Sequence, residues 1–164
     1  MRYLFLTVLI SISTFNYAQK NQNTPMNFWD NVQFGGGINL NFSNQYTILG
    51  ISPSAIYNFS DKFASGVSVS YLYVKNKNIS DPLSVYGASV LARYQPVEEI
   101  QLSTEFEENF LKQGNISKTI PALYLGAGYN VSPNIAMGIR YDVLYDENNN
   151  IYPSAITPFI RVYF

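Results

Sequence analysis

The chain predicts an all-β fold, eight antiparallel strands in up-and-down order closed into a transmembrane barrel. Three observations carry this. First, Tyr57, Tyr94, Tyr129 and Phe164 recur every 35 to 37 residues, and the first three are each followed by Asn58, Gln95 or Asn130, a turn-like stretch, and a bulky apolar residue, Phe63, Ile100 or Ile135. Second, the segments between these marks alternate in twos, so each period holds two strands and two turns instead of a pair of helices. Third, one face of the alternation is too bulky for the bore of so small a barrel, while the other is small and polar.

The elements follow in order. Residues 1–18 read as a secretory signal: Arg2 precedes an apolar run that ends at Asn16-Tyr-Ala-Gln, with the cut within a few residues of Ala18 because Asn16 stands where a small residue is usual. That run is about half the ~20 residues a spanning helix needs, and no later stretch supplies one. Residues 19–30 form a flexible polar lead-in ending at Phe28 and Trp29, two residues suited to an interface. The barrel is expected over 31–164, with strands at 31–42, 46–59, 63–75, 83–95, 100–111, 119–131, 135–146 and 152–164. Each is as long as a tilted crossing strand requires. The second, fourth and sixth connections are tight (Ser60-Asp-Lys, Pro96-Val-Glu-Glu, Ser132-Pro-Asn), whereas the third, fifth and seventh (76–82, 112–118, 147–151) are longer and more polar. The first, around Ser43-Asn-Gln, is short. Short turns on one side and longer loops on the other are the habit of outer-membrane barrels, which places both termini on the short-turn side.

Alternation alone leaves open which face is inside, since a soluble ligand-binding barrel gives the mirror pattern; volume decides. One face carries Phe34, Ile38, Leu40, Phe42, Leu49, Ile51, Val67, Val69, Val90, Leu102, Phe106, Leu125, Met137, Ile139, Val143, Ile156, Ile160 and many aromatics. About thirty such groups would overfill an eight-stranded bore, so they face outward. An aromatic girdle is expected from Tyr57, Phe59, Phe63, Tyr71, Tyr73, Tyr94, Tyr129, Tyr141 and Tyr145, clustered at the strand ends where membrane interfaces fall. The opposite face holds Gly35, Gly37, Gly50, Ser52, Ser54, Gly66, Ser68, Ser70, Gly87, Ser89, Gly126, Gly128 and Gly138 with the charged residues Arg93, Glu105, Glu107, Arg140, Asp142 and Arg161. Three cations can there meet three carboxylates in one interior polar network. Ile56, Leu72, Val74, Leu91 and Leu144 fall inward against this pattern, and Glu108 falls outward. Pro53 and Pro158 each delete a ladder donor and suggest bulges.

Candidate chemistry is sparse. The chain has no cysteine and no histidine, which removes disulfides, thiolate metal sites and most nucleophile–base pairs. Net charge is −1 with 13% charged residues against 16% aromatic, which offers nucleic acid no footprint. Glu105 and Glu107 stand two apart on one face, as paired catalytic carboxylates would, yet with arginines nearby a structural ion network is the expected role. Gly35-Gly-Gly lacks the Lys-Ser/Thr and the helix of a phosphate cradle, so close strand packing or a bend is expected. Asp142, Asp146 and Glu147-Asn-Asn-Asn could ligate calcium or simply form a solvated loop. Tyr71, Tyr73, Tyr145 and Tyr152 form an expected external rim, suited to interface anchoring or to glycan or protein binding. No catalytic residue, cofactor or metal is expected.

Several stretches, among them Gly138-Ile-Arg-Tyr-Asp-Val-Leu-Tyr-Asp, Pro121-Ala-Leu-Tyr-Leu-Gly-Ala-Gly-Tyr and Pro158-Phe-Ile-Arg-Val-Tyr-Phe, give the chain a resemblance to a family of small outer-membrane β-barrels of flavobacteria and other Bacteroidota. Its members are sometimes labelled alpha-ketoglutarate decarboxylase, but such decarboxylases resemble large thiamine-diphosphate enzymes, whose length and cofactor motif are absent here. The resemblance implies the barrel fold and a place in outer-membrane lipid; the expectation built on it is a non-catalytic, porin-like, monomeric barrel. It also implies that Arg161, Val162, Tyr163 and Phe164 form a C-terminal signal read by the barrel-insertion machinery. A transporter or binder of small apolar ligands is the alternative, and an enzyme working through Glu105 or Glu107 is the third reading.

Overall fold

A computed structural model describes residues 27–164 except 43–45, 77–81 and 115. The expected signal segment, most of the expected lead-in, the first connection, most of the third, and the side chain of Phe42 lie outside the described residues. After a short 3-10 turn at Phe28–Asn31 come β1 (Val32–Phe42), β2 (Tyr46–Asn58), β3 (Phe63–Asn76), β4 (Leu83–Val97), β5 (Ile100–Gln113), β6 (Ile116–Ser132), β7 (Ile135–Asp142) and β8 (Ile156–Tyr163). Each strand pairs antiparallel with the next, and β8 returns to β1 to close the barrel. The barrel unit is Asn31–Phe164.

The sequence repeat has a structural cause. At the short-turn end the amide of Gln95 donates to the turn carbonyl of Lys62 at 2.8 Å, and that of Asn130 donates to Glu99 at 2.8 Å. Side chains at the same repeat position add to this: Asn58 Nδ2 donates to Asn31 O (3.1 Å) and Asn130 Nδ2 to Glu98 O (2.6 Å). Each hairpin is thus tied to the turn before it, satisfying carbonyls that a bare turn leaves open. Ser60 Oγ accepts the amide of Phe63 (3.1 Å), which fixes the β2–β3 turn.

Several boundaries differ from expectation. β7 stops at Asp142 and β8 starts at Ile156, each 8 residues long, shorter than the crossing length read from the sequence. The seventh connection is correspondingly longer. The fifth is a tight turn, because the ladder runs on to Gln113↔Ile116 and Gly114 takes a left-handed φ of 56° that a side chain would resist. Long connections therefore do not mark every loop of that side.

The prolines act differently from bulges. Registers shift at Tyr94/Val97 and Asn130/Ser132, whereas β2 keeps one register on both sides of Pro53, missing only rungs between Ile51↔Tyr71 and Ser54↔Ser68. The Pro53 carbonyl accepts from Ser68 Oγ at 3.0 Å instead. Pro158 pairs in register with Ile139 on β7. On its other side the β1–β8 ladder spans only Gly35↔Tyr163 to Ile38↔Ile160. The amide of Phe164 points to Phe34 O (2.7 Å), so alternation directs position 158 to this same seam, where proline has no N–H to give. Gly35-Gly-Gly lies in this seam within β1; a Cβ at Gly35 would run into the Val162 carbonyl. These glycines serve close strand approach.

Alternation places faces as volume required. Phe34, Ile38, Leu40, Ile51, Val67, Val69, Val90, Phe106, Leu125, Met137, Ile139, Ile156 and Phe164 are exposed, while Arg93, Glu105, Glu107, Arg140 and Arg161 are buried. The bore is layered. Ile56, Ala64, Leu91 and Tyr163 cluster toward the short-turn end. Ile48, Leu72 and Val85, backed by Val74, Leu83, Leu111, Ile151 and Tyr152, cluster toward the other. Between them lie serine, glycine and the charges of Glu105, Glu107, Arg140 and Arg161. The inward apolar residues that broke the sequence pattern are thus caps above and below a polar belt, except Leu144, which is exposed beyond the end of β7.

Candidate functional site

The polar belt is built from facing strands. Glu105 of β5 accepts from Arg161 Nη2 of β8 at 2.8 Å and lies 3.7 Å from Arg140 Nη1 of β7. Its other oxygen accepts from Ser89 Oγ at 2.7 Å. All three charged side chains are buried, so the pairing offsets a desolvation cost that an isolated charge could not meet. Glu107, one step up the same face, is outside this pair and accepts from Ser70 Oγ. Room for that contact comes from Gly87, where a Cβ would strike both Ser70 Oγ and the Glu107 carboxylate.

Arg93 sits apart near the short-turn end. Its guanidinium donates to Asn58 Oδ1 (3.0 Å) and Gln33 Oε1 (3.3 Å) and lies 4.8 Å from the ring centre of Tyr163. It faces neutral acceptors and an aromatic ring. Asp142 does not join the network: its Oδ1 accepts the amides of Leu123 (3.2 Å) and Leu144 (3.0 Å), holding the chain as β7 ends. The expected single network of six charges is therefore corrected to one carboxylate, Glu105, shared by Arg140 and Arg161, with Glu107 and Arg93 held by neutral groups and Asp142 by backbone amides.

Aromatics on the inward face complete the site. Arg140 lies over the Tyr124 ring at 3.9 Å and near Tyr152 at 5.7 Å, and Arg161 over Phe159 at 4.7 Å. Such stacking stabilises a desolvated guanidinium. Tyr152, expected on the external rim, instead turns into the bore and accepts from Arg140 Nη2 at 3.2 Å. Burial pushes its phenol above the ordinary range, with Arg140 opposing. The signal for Tyr124 and Tyr163 was parity: each is a bulky residue flanked by outward neighbours. Tyr152 carried the opposite mark: the expected strand 152–164 gave it the outward parity of Ile156 and Ile160, whereas the observed strand begins only at Ile156.

The bore is filled. Two voids, one bordered by Arg140, Arg161 and Tyr163 and one by Glu107, Asn109 and Tyr152, measure about 20 Å³ each, space for a single water. Arg161 Nη1, Tyr163 OH and Asn109 Nδ2 border them without a protein partner.

Outside, the named aromatics form two bands. Tyr57, Phe59 and Phe63 stack at the short-turn end, with ring centres 4.9 and 5.8 Å apart, and Tyr94 pairs beside Phe63; Tyr129 and Phe164 are exposed with them. Tyr71 and Tyr86 stack at 5.1 Å toward the other end, where Tyr73 and Tyr141 also lie on strands; Tyr145 lies past β7. Of the C-terminal residues, Arg161 and Tyr163 point inward and Phe164 outward. In the seventh connection Asp146 Oδ1 accepts the Asn148 amide (2.8 Å); among the described residues no group of three or more Asp or Glu converges as a metal site would require. Scanned against protein-family models the sequence matches none, and a search of curated proteins also returns no match.

Proposed function

We propose that this chain is an integral outer-membrane barrel without catalytic activity, its bore plugged, acting structurally or through its external loops at the cell envelope. One observation carries the reading: large apolar side chains are exposed on every strand, while Arg93, Glu105, Glu107, Arg140 and Arg161 are buried in the bore. Water-exposed surfaces of monomers rarely carry apolar patches beyond a few hundred Å², whereas hydrocarbon demands this inversion, together with a closed ladder. The paired aromatic bands suit two interfaces. The packed, ion-bridged belt argues against a conducting pore and gives Glu105 a structural task. Membrane fractionation followed by a gel run with and without boiling tests the reading. A membrane-bound protein whose unheated band migrates apart from the boiled one is expected; a freely soluble chain with a single band overturns it.

A second reading, a binder of small apolar ligands admitted sideways, is favoured by the short β1–β8 seam above Ile38↔Ile160. It predicts ligand-induced thermal shifts, which the first reading does not.

A further inference from the structure

Across the middle of the bore, β8, β1 and β2 set Arg161, Gly37 and Ser52 side by side on one rung. All three positions have inward parity, and Gly37 carries no side chain to fill the place between its neighbours. A Cβ there would come within 2.7 Å of Ser52 Oγ and 4.0 Å of Arg161 Cγ. These residues border a void of about 20 Å³ together with Asn39, Glu105 and Tyr163. By the same measure one water needs roughly 10–15 Å³, so a monatomic ion slightly larger than water has room. Two donors open on this space. Among the described residues Arg161 Nη1 and Tyr163 OH have no protein partner, although the two side chains belong to residues only 7% and 4% exposed. Arg161 gives its other terminal nitrogen to Glu105 Oε2 at 2.8 Å. Tyr163 takes Arg93 against its ring, 4.8 Å from the centre.

Charge decides what fills the void. Arg93, Arg140 and Arg161 are buried in the bore against two buried carboxylates, Glu105 and Glu107. Both oxygens of Glu105 are taken, Oε2 by the two arginines and Oε1 by Ser89 at 2.7 Å. Glu107 is held by Ser70 and borders the other void, and Asp142 turns its Oδ1 to backbone amides where β7 ends. One guanidinium charge is therefore in excess around Tyr163, in a low-dielectric interior where an unmatched charge is costly. We infer that this void binds one halide ion, chloride in the cell. The ion accepts from Arg161 Nη1, Tyr163 OH and Ser52 Oγ, charge-assisted contacts of the stronger kind, and it offsets the surplus cation, which a water does not. Apolar clusters cap both ends of the bore, so the ion enters as the barrel forms and leaves when it opens. The site goes beyond the plugged-barrel reading and holds whatever surrounds the barrel.

The test refolds the full chain from urea into detergent at constant ionic strength, with sodium bromide replacing sodium gluconate stepwise. Bound bromide is counted by X-ray fluorescence after gel filtration into gluconate, and its position is read from the bromine anomalous peak in crystals. One bromide per folded barrel is expected, with the peak beside Arg161 Nη1 and Tyr163 OH. Tyr163→Phe removes one donor and should raise the half-saturating bromide concentration at least about 10-fold. Gly37→Ala fills the space and should abolish retention, with the β-sheet circular dichroism spectrum kept in both variants. Should Tyr163→Phe not fold, Ser52→Ala removes another donor and carries the same expectation. A folded wild type that retains no bromide, a peak elsewhere with water in the void, or folded variants that retain bromide as the wild type does would each overturn the site. All three results leave the membrane reading as it stands.

Discussion

Glu105→Gln removes one negative charge and little else. Glutamine keeps the length of the side chain and an oxygen for the Ser89 hydroxyl at 2.7 Å, so the loss falls on the contacts to Arg161 at 2.8 Å and Arg140 at 3.7 Å. Both guanidinium groups are buried, and stranding a charge by deleting its partner costs about 3–5 kcal/mol. Stacking on Tyr124 and Phe159 moderates that cost, so the lower end of the range is expected. The assay is urea titration in detergent, reading the fraction of the heat-modifiable band on an unboiled gel. A companion Arg161→Met, alone and combined, closes the cycle. The double variant should recover more than about 1 kcal/mol against the sum of the singles, because contacting residues in one ionic network do not add. Additivity within about 0.5 kcal/mol would refute the shared-carboxylate argument. Asp142→Asn is the contrast: it disturbs amide acceptors at a turn and should cost at most about 1 kcal/mol. A loss as large as that of Glu105→Gln would return Asp142 to the ionic belt.

Three further outcomes follow from the geometry. Gly87→Val drives a side chain into Ser70 and the Glu107 carboxylate and should destabilise the barrel by about 1–3 kcal/mol through overpacking, measured by the same titration; an unchanged midpoint would contradict the contact. Pro158→Val restores an N–H at the β1–β8 seam and should stabilise by about 1 kcal/mol, with slower amide exchange at Ile160 on hydrogen-exchange mass spectrometry; faster exchange there would reverse the explanation for the short ladder. Deleting Phe164, whose amide reaches Phe34 O at 2.7 Å, should lower the amount of barrel recovered in membranes, and normal recovery by quantitative blotting would remove the C-terminal signal.

The barrel was legible in the chain because closure makes every strand obey one rule, small or polar inward and bulky outward, and parity errors would show on all strands together. Charge placement was legible for the same reason: Arg93, Glu105, Glu107, Arg140 and Arg161 share parity with the glycines and serines. Asp142 shares it too, yet the chain leaves the sheet there, since a short carboxylate competes for nearby backbone amides; alternation in Asp142-Val-Leu-Tyr persists past the strand and conceals that departure. Tyr152 was unreadable because its place is set by a loop folding over Arg140, a contact between distant residues. The prolines misled in kind: a missing donor thins or stops a ladder, and neither Pro53 nor Pro158 displaces the chain to compensate.

The ties from Gln95 to Lys62 and from Asn130 to Glu99 bear on how the molecule assembles. Each hairpin carries the socket that positions its successor, so seven of the eight ladders are set among residues close in the chain. The cost of ordering them grows in small steps. Only the junction of first and last strands must wait for distant ends to meet, and it holds four rungs. The slow step of folding is thereby confined to one narrow place, where the cylinder is last to shut and first to part under load.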